Sequence, residues 1–165
     1  MKAHGKIVDS EDLGVLSSGH IFVVDTAGEL VEPRTMETTD SEGDFSIEVM
    51  PRTAEKIENF RDLLPIGTTV YIAHLEDTPI EDMVITAKRI AAEGFDVMPH
   101  FPARIIKNKQ TLKNWVAMYQ GEANISQALL LAGGLTKPHG DFEDSMQLLE
   151  TGVFGDAGFK RLHVA

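Results

Sequence analysis

From Phe45 to the C-terminus, short apolar runs alternate with amphipathic runs, and this alternation constrains the fold more than any other feature of the sequence. The apolar runs begin roughly 25–35 residues apart, which is the spacing of βα units. They predict strands at 45–50, 68–75, 95–101, 127–132 and 159–165. Connections from strand through helix to strand produce a parallel sheet, so we expect a parallel α/β domain.

The clearest predicted helix runs from Pro79 to Glu93. Thr78 and Glu81 have the spacing of a capping box, Pro79 occupies the first helical position, and Gly94 follows the end. Further helices are predicted at 53–64, 109–120 and 144–151. Apolar residues of the three longer helices keep to one face, which is expected to pack on the sheet.

The glycine fingerprint of a dinucleotide-binding unit is absent after the first strand, where Met50-Pro51-Arg52-Thr53 stands. The favoured fold is therefore α/β of the (β/α)8 TIM-barrel type, with about five of the eight strands present. The chain stops inside the last predicted strand, so residues 45–165 are expected to be the first part of a truncated barrel domain. Such a domain exposes a sheet edge, which predicts pairing between copies as a homo-oligomer.

Residues 1–44 differ from the rest and are predicted to form an N-terminal appendage. The runs 20–25 and 29–32 have the pattern of a short hairpin, and 35–43 is an acidic loop rich in Ser and Thr.

Composition excludes several classes of partner and chemistry. Lys and Arg total 15 against 26 Asp and Glu, a net charge of −11, which argues against nucleic acid or an anionic membrane surface as a partner. The chain has no Cys, which excludes disulfides, thiolate metal sites and a Cys nucleophile. There is no signal-peptide core and no apolar run of membrane-spanning length, so a cytoplasmic protein is expected.

Polar residues and glycines stand at the ends of four predicted strands. In a parallel barrel these ends meet at one mouth, which would bring together Glu48, His74, His100 and the pair Gly133-Gly134. A Glu in such a mouth has a raised pKa and can act as a general acid. The alternative interpretation is a carboxylate neutralised by Arg52 or Arg104.

Two other interpretations of these residues stay open. One Glu and two His form a ligand set that Zn²⁺ accepts, which would suit a metal-dependent barrel hydrolase, although their spacing matches no metal motif. Glycines at 133 and 134 would let the backbone approach a flat ring or a phosphate, and Lys137 would supply positive charge to a bound anion. An ordinary turn from strand to loop explains the same glycines.

Three segments resemble the methylenetetrahydrofolate reductase family. Phe-Ser-Ile-Glu-Val-Met-Pro-Arg-Thr at 45–53 resembles its Phe-Glu-Phe-Phe-Pro-Pro segment on the first strand, and Met-Pro-His-Phe at 98–101 is similar to its Pro-His-Leu-Thr segment on the third. Leu-Ala-Gly-Gly at 131–134 is similar to its Leu-Arg-Gly-Asp turn after the fourth. The resemblance covers about residues 45–165.

Members of that family are (β/α)8 flavoproteins of one-carbon and methionine metabolism. NAD(P)H reduces their FAD, and the reduced flavin passes a hydride to 5,10-methylenetetrahydrofolate, giving 5-methyltetrahydrofolate. The resemblance implies that Glu48 is the general acid. It also implies an FAD site formed by Ala73, His100, Leu131, Ala132, Gly133 and Gly134.

Departures from the family pattern keep alternatives open. The family's Asp in the Leu-Arg-Gly-Asp turn is Gly134 here, its Arg is Ala132, and Ala73 stands where a Thr or Ser is expected. A carboxylate is thus missing where positive charge would develop. A divergent folate- or flavin-binding relative without reductase activity is the alternative that these departures favour.

Overall fold

The computed structural model describes residues 22–24 and 45–165. Its strands are β1 (Phe22–Val24), β2 (Ser46–Val49), β3 (Thr69–Ile72), β4 (Asp96–Pro102), β5 (Gln127–Leu131) and β6 (Arg161–Val164). Its α-helices are α1 (Pro51–Ala54), α2 (Ile80–Ala92), α3 (Lys109–Ala123), α4 (Ser145–Glu150) and α5 (Val153–Asp156). Short 3₁₀ helices cover Phe60–Asp62 and Ala103–Ile105.

The strands form one sheet in the order β1-β6-β5-β4-β3-β2. Strands β2 to β6 are parallel and follow one another in chain order, whereas β1 pairs antiparallel with β6. The predicted α/β fold with a parallel sheet is therefore confirmed. Of the predicted N-terminal appendage, only Phe22–Val24 lies within the described residues.

The helices pack on one face of the sheet because alternate strand residues there are apolar. Val70 and Ile72 of β3 and Phe101 of β4 are buried, as are Met83 and Ile90 of α2. Side chains at the intervening positions point to the opposite face. We call this opposite face the polar face; it carries Glu48, Tyr71, His100 and His163.

Helices α2 and α3 are confirmed within a few residues, but the predicted capping box at Thr78 is wrong. Residue Pro79 occupies the N-cap position, where no side chain caps the helix. The carbonyl of Thr78 instead lies 3.0 Å from His74 Nε2, within hydrogen-bonding distance. The glycine after α2 is confirmed, since Gly94 has φ +94°.

The single helix predicted at 53–64 is wrong. Helix α1 ends at Ala54, and a turn separates it from the 3₁₀ helix at Phe60. The guanidinium of Arg89 accounts for the interruption, because it donates hydrogen bonds to the carbonyls of Ala54, Ile57 and Glu58. These carbonyls accept hydrogen bonds from a side chain of α2 and not from the backbone N–H four residues further along, as they would in an α-helix.

Candidate active site

Glu48 lies in β2, three residues before the first turn of α1. Its neighbours Ile47 and Val49 pack into the apolar core, so strand alternation places Glu48 on the polar face. A quarter of its side chain is exposed. Burial raises the pKa of the Glu48 carboxyl above its usual value, which favours the protonated form.

His100, on β4, is the partner of Glu48. Glu48 Oε2 lies 3.3 Å from His100 Nε2, yet the angles are not those of a hydrogen bond, and buried Nε2 has no hydrogen-bond partner among the described residues. Burial, followed by the nearby charge of His74, lowers the pKa of His100 to about 4. The contact is therefore between a neutral imidazole and a carboxyl that retains its proton unusually well, and not a strong ion pair.

Neither Arg52 nor Arg104, the two arginines predicted to neutralise the Glu48 carboxylate, does so. The guanidinium of Arg104 donates to the carbonyls of Glu143 and Leu135, at 2.9 Å and 2.8 Å, and Arg52 is exposed. Within residues 45–165, no ion pair joins Glu48 to an arginine.

The buried His100 predicts a loss of stability in mild acid. Its pKa is about 4 when folded against an ordinary 6.5, so the unfolded chain binds more protons between these values. The free energy of unfolding should fall as pH drops from about 6.5 to 4, by on the order of 2 to 3 kcal/mol from this group. Urea unfolding across this pH range should show a shallower fall for His100→Gln, and parallel curves would contradict the assignment.

His74 follows β3 and does not join Glu48 and His100 in a metal site. Its Nε2 contacts the Thr78 carbonyl, and its ring lies over Trp115 of α3 with centroids 4.7 Å apart. In the part of the chain that the structure describes, no group of three or more His, Cys, Asp or Glu side chains could hold a metal ion. The geometry of the described residues thus gives the metal-hydrolase interpretation no ligand set.

The glycine turn lies beside the end of β4. Leu131 is the last residue of β5 and is paired with Pro102, and the next carbonyl, that of Ala132, accepts from Arg104 N at 3.0 Å. Gly133 has φ +90°, and a Cβ there would stand 3.0 Å from Pro102 Cβ. At Gly134 a Cβ would meet no atom within 4 Å, so the turn presents bare backbone.

Two further contacts complete the surroundings of the strand ends. Ala73 is buried directly after β3, and its N–H donates to the Val49 carbonyl at 2.8 Å. The loop after β5 reaches the loop after β3 through His139 Nε2, which lies 2.9 Å from Glu76 Oε1. Since β4 lies between these strands, that contact passes across the end of β4.

Sequence analysis missed a contact on the polar face. The Tyr71 hydroxyl lies 2.8 Å from His163 Nδ1, although β4 and β5 separate their strands. Burial raises the pKa of Tyr71 and lowers that of His163. The signal was available in part, since Tyr71 is paired with Glu48 in register and must share its face.

A comparison with known protein families finds none that matches the chain.

A groove of about 230 Å³ lies between α3 and α5, lined by residues such as Val116 and Val153, and it holds none of the site residues. No helix in the described part of the chain is long and apolar enough to cross a membrane.

Proposed function

We propose that this chain belongs to a (β/α)8-barrel oxidoreductase that reduces 5,10-methylenetetrahydrofolate to 5-methyltetrahydrofolate, using FAD and NAD(P)H. The observation that carries the proposal is Glu48 at the carboxyl end of the first parallel strand, with a raised pKa and His100 Nε2 3.3 Å away. The five parallel strands in chain order agree with part of such a barrel, whereas antiparallel β1 occupies the edge of β6 where the next parallel strand of a barrel would pair.

Two observations support a flavin as the cofactor in this proposal. Gly134 is exposed, with no atom within 4 Å of where its Cβ would stand, and buried His100 Nε2 has no hydrogen-bond partner among the described residues. The residues that would hold the ring are Ala73, His100, Leu131, Ala132, Gly133 and Gly134. When bound, FAD supplies hydride transfer from the nicotinamide to the folate.

Glu48 supplies the proton in this proposal. It protonates the leaving nitrogen of the folate's five-membered ring, whose C–N bond breaks with both electrons going to that nitrogen. The methylene carbon becomes an iminium ion, which accepts hydride. Glu48 is left as a carboxylate near the positive charge. Gly134, which stands where the family has an Asp, supplies no second carboxylate there.

Titration of the protein with FAD, followed by flavin fluorescence, tests the proposal. We expect saturable binding of one FAD per chain. Gly134→Leu, which fills the open space above the turn, should weaken binding at least about tenfold, because the ring would lose its place. The matched control is Gly121→Leu in α3, where a Cβ also meets nothing within 4 Å. Absence of FAD binding by the folded native protein would overturn the proposal.

The bare position at Gly134 favours one second candidate, a folate- or flavin-binding protein without reductase activity. Its signature would be ligand binding without turnover in the native chain. Because the site of a Cβ at 134 is open, Gly134→Asp should fold with a melting temperature close to native. A large gain of reductase activity in Gly134→Asp would favour this candidate, and an active native protein would exclude it.

A further inference from the structure

The hydrogen bond of His74 fixes its tautomer. Its Nε2 lies 3.0 Å from the carbonyl oxygen of Thr78, and a carbonyl oxygen can only accept. Nε2 therefore carries the hydrogen. In the neutral ring, Nδ1 is left as a bare acceptor.

This acceptor is buried and has no hydrogen-bond partner among the described residues. An unsatisfied buried acceptor destabilises the folded state. The ring cannot easily turn to relieve it, because it packs against Trp115 and is bonded to Thr78. Burial lowers the pKa of His74, so taking up a second proton is not the remedy.

A second unpaired nitrogen lies on the neighbouring strand. Buried His100 Nε2 also lacks a hydrogen-bond partner in the described part of the chain, and β4 is paired with β3. The two rings have different surroundings: His74 packs against Trp115 of α3, whereas His100 lies beside Glu48 on the polar face. The ends of β3 and β4 thus present two imidazoles with unused hydrogen-bonding capacity.

We propose that His74 is a ligand-binding residue whose Nδ1 accepts a hydrogen bond from the cyclic amide N–H of a flat heteroaromatic ligand at the ends of β3 and β4. This inference rests on the proposed function. The cyclic amide N–H is common to the pyrimidine ring of a flavin and to a pterin, so either compound supplies the required chemistry.

His74 Nδ1 has no exposed surface, so a ligand reaches it only when the atoms around it move. The contact between Glu76 and His139 joins the loop after β3 to the loop after β5, with side chains 46% and 45% exposed. Exposed pairs of this kind contribute little to stability, so this contact opens readily.

Two variants separate the two ring nitrogens. The amide of His74→Gln can replace the Nε2 donor to Thr78 but leaves no acceptor at the Nδ1 position. The amide oxygen of His74→Asn can replace the Nδ1 acceptor but gives up the bond to Thr78. In titrations with FAD and with tetrahydrofolate, we expect His74→Gln to lose about 3- to 10-fold in affinity for one of them, and His74→Asn to lose less.

The ligand whose affinity falls identifies the source of the N–H. Equal losses in both variants would mean that His74 only packs against its neighbours, and no loss in either would mean no contact; both results overturn the proposal. Thermal unfolding of each variant confirms that it is folded.

A nitrogen-15 NMR titration of the native protein keeps the inference separate from the proposed function. Lumazine, a small pteridine with the cyclic amide, should move the His74 Nδ1 signal toward that of a hydrogen-bonded acceptor, even if neither FAD nor tetrahydrofolate binds. In that case the reductase proposal fails and the role of His74 stands. An unmoved Nδ1 signal at saturating lumazine overturns the role of His74.

Discussion

Under the proposed function, replacing Glu48 with glutamine should lower the rate of methylenetetrahydrofolate reduction at least about a hundredfold, because general acid catalysis typically contributes that much or more. Glutamine has nearly the same shape but no proton to give to the leaving nitrogen. Reduction of bound FAD by the nicotinamide cofactor needs no such proton and should change little. Stopped-flow measurement of the two half-reactions, each followed at the flavin absorbance, distinguishes them.

The chain offers a matched control in Glu76→Gln. Glu76 also lies near a strand end and pairs with a histidine, His139 at 2.9 Å, but about half of its side chain is exposed. Its replacement should leave both half-reactions within about twofold of native. Equal damage to both half-reactions in a folded Glu48→Gln protein would refute the role of Glu48 as the proton donor.

Replacing Arg89 with methionine should lower the free energy of unfolding by about 3 kcal/mol, measured by urea denaturation. Its guanidinium bonds to the carbonyls of Ala54, Ile57 and Glu58 and to the carboxylate of Glu93. Methionine keeps most of the apolar contact, so the loss reports the hydrogen bonds, which are stronger when one partner is charged.

Arg61→Met is the control for Arg89→Met. Arg61 also donates to two backbone carbonyls, those of Ala92 and Glu93, but it is exposed. Its loss should cost no more than about 0.5 kcal/mol, as is usual for exposed positions. If the two variants were equally stable, the bonds of Arg89 would not be what holds the segment after α1.

Periodicity in the sequence was sufficient to predict the five parallel strands and the two longest helices, since their burial follows from local patterns. It was insufficient between Thr53 and Leu64, where the apolar spacing of Ile57, Phe60 and Leu64 indicates a helix. The partner that interrupts this helix, Arg89, is more than 30 residues away along the chain. Hydrogen bonds to distant side chains leave no signal in a local window, so such interruptions are predicted poorly.

For the site, the sequence predicted that Glu48 and His100 stand at strand ends, and the structure places them in contact. It could not predict which ring nitrogen of His74 carries a hydrogen, because that depends on the carbonyl of Thr78. The same limit applies to the neutral state of His100, which follows from burial in three dimensions. The chemical roles of these residues remain predictions.

The contact between Tyr71 and His163 has a consequence for the order of folding. It joins residues 92 positions apart. Their strands are three spacings of about 4.8 Å apart in the sheet, so the sheet must curve toward the polar face before the two side chains meet. Closing so long a loop is entropically unfavourable until the intermediate strands have paired. We therefore expect the bond to form late, so that its loss in Tyr71→Phe accelerates unfolding and leaves the folding rate nearly unchanged.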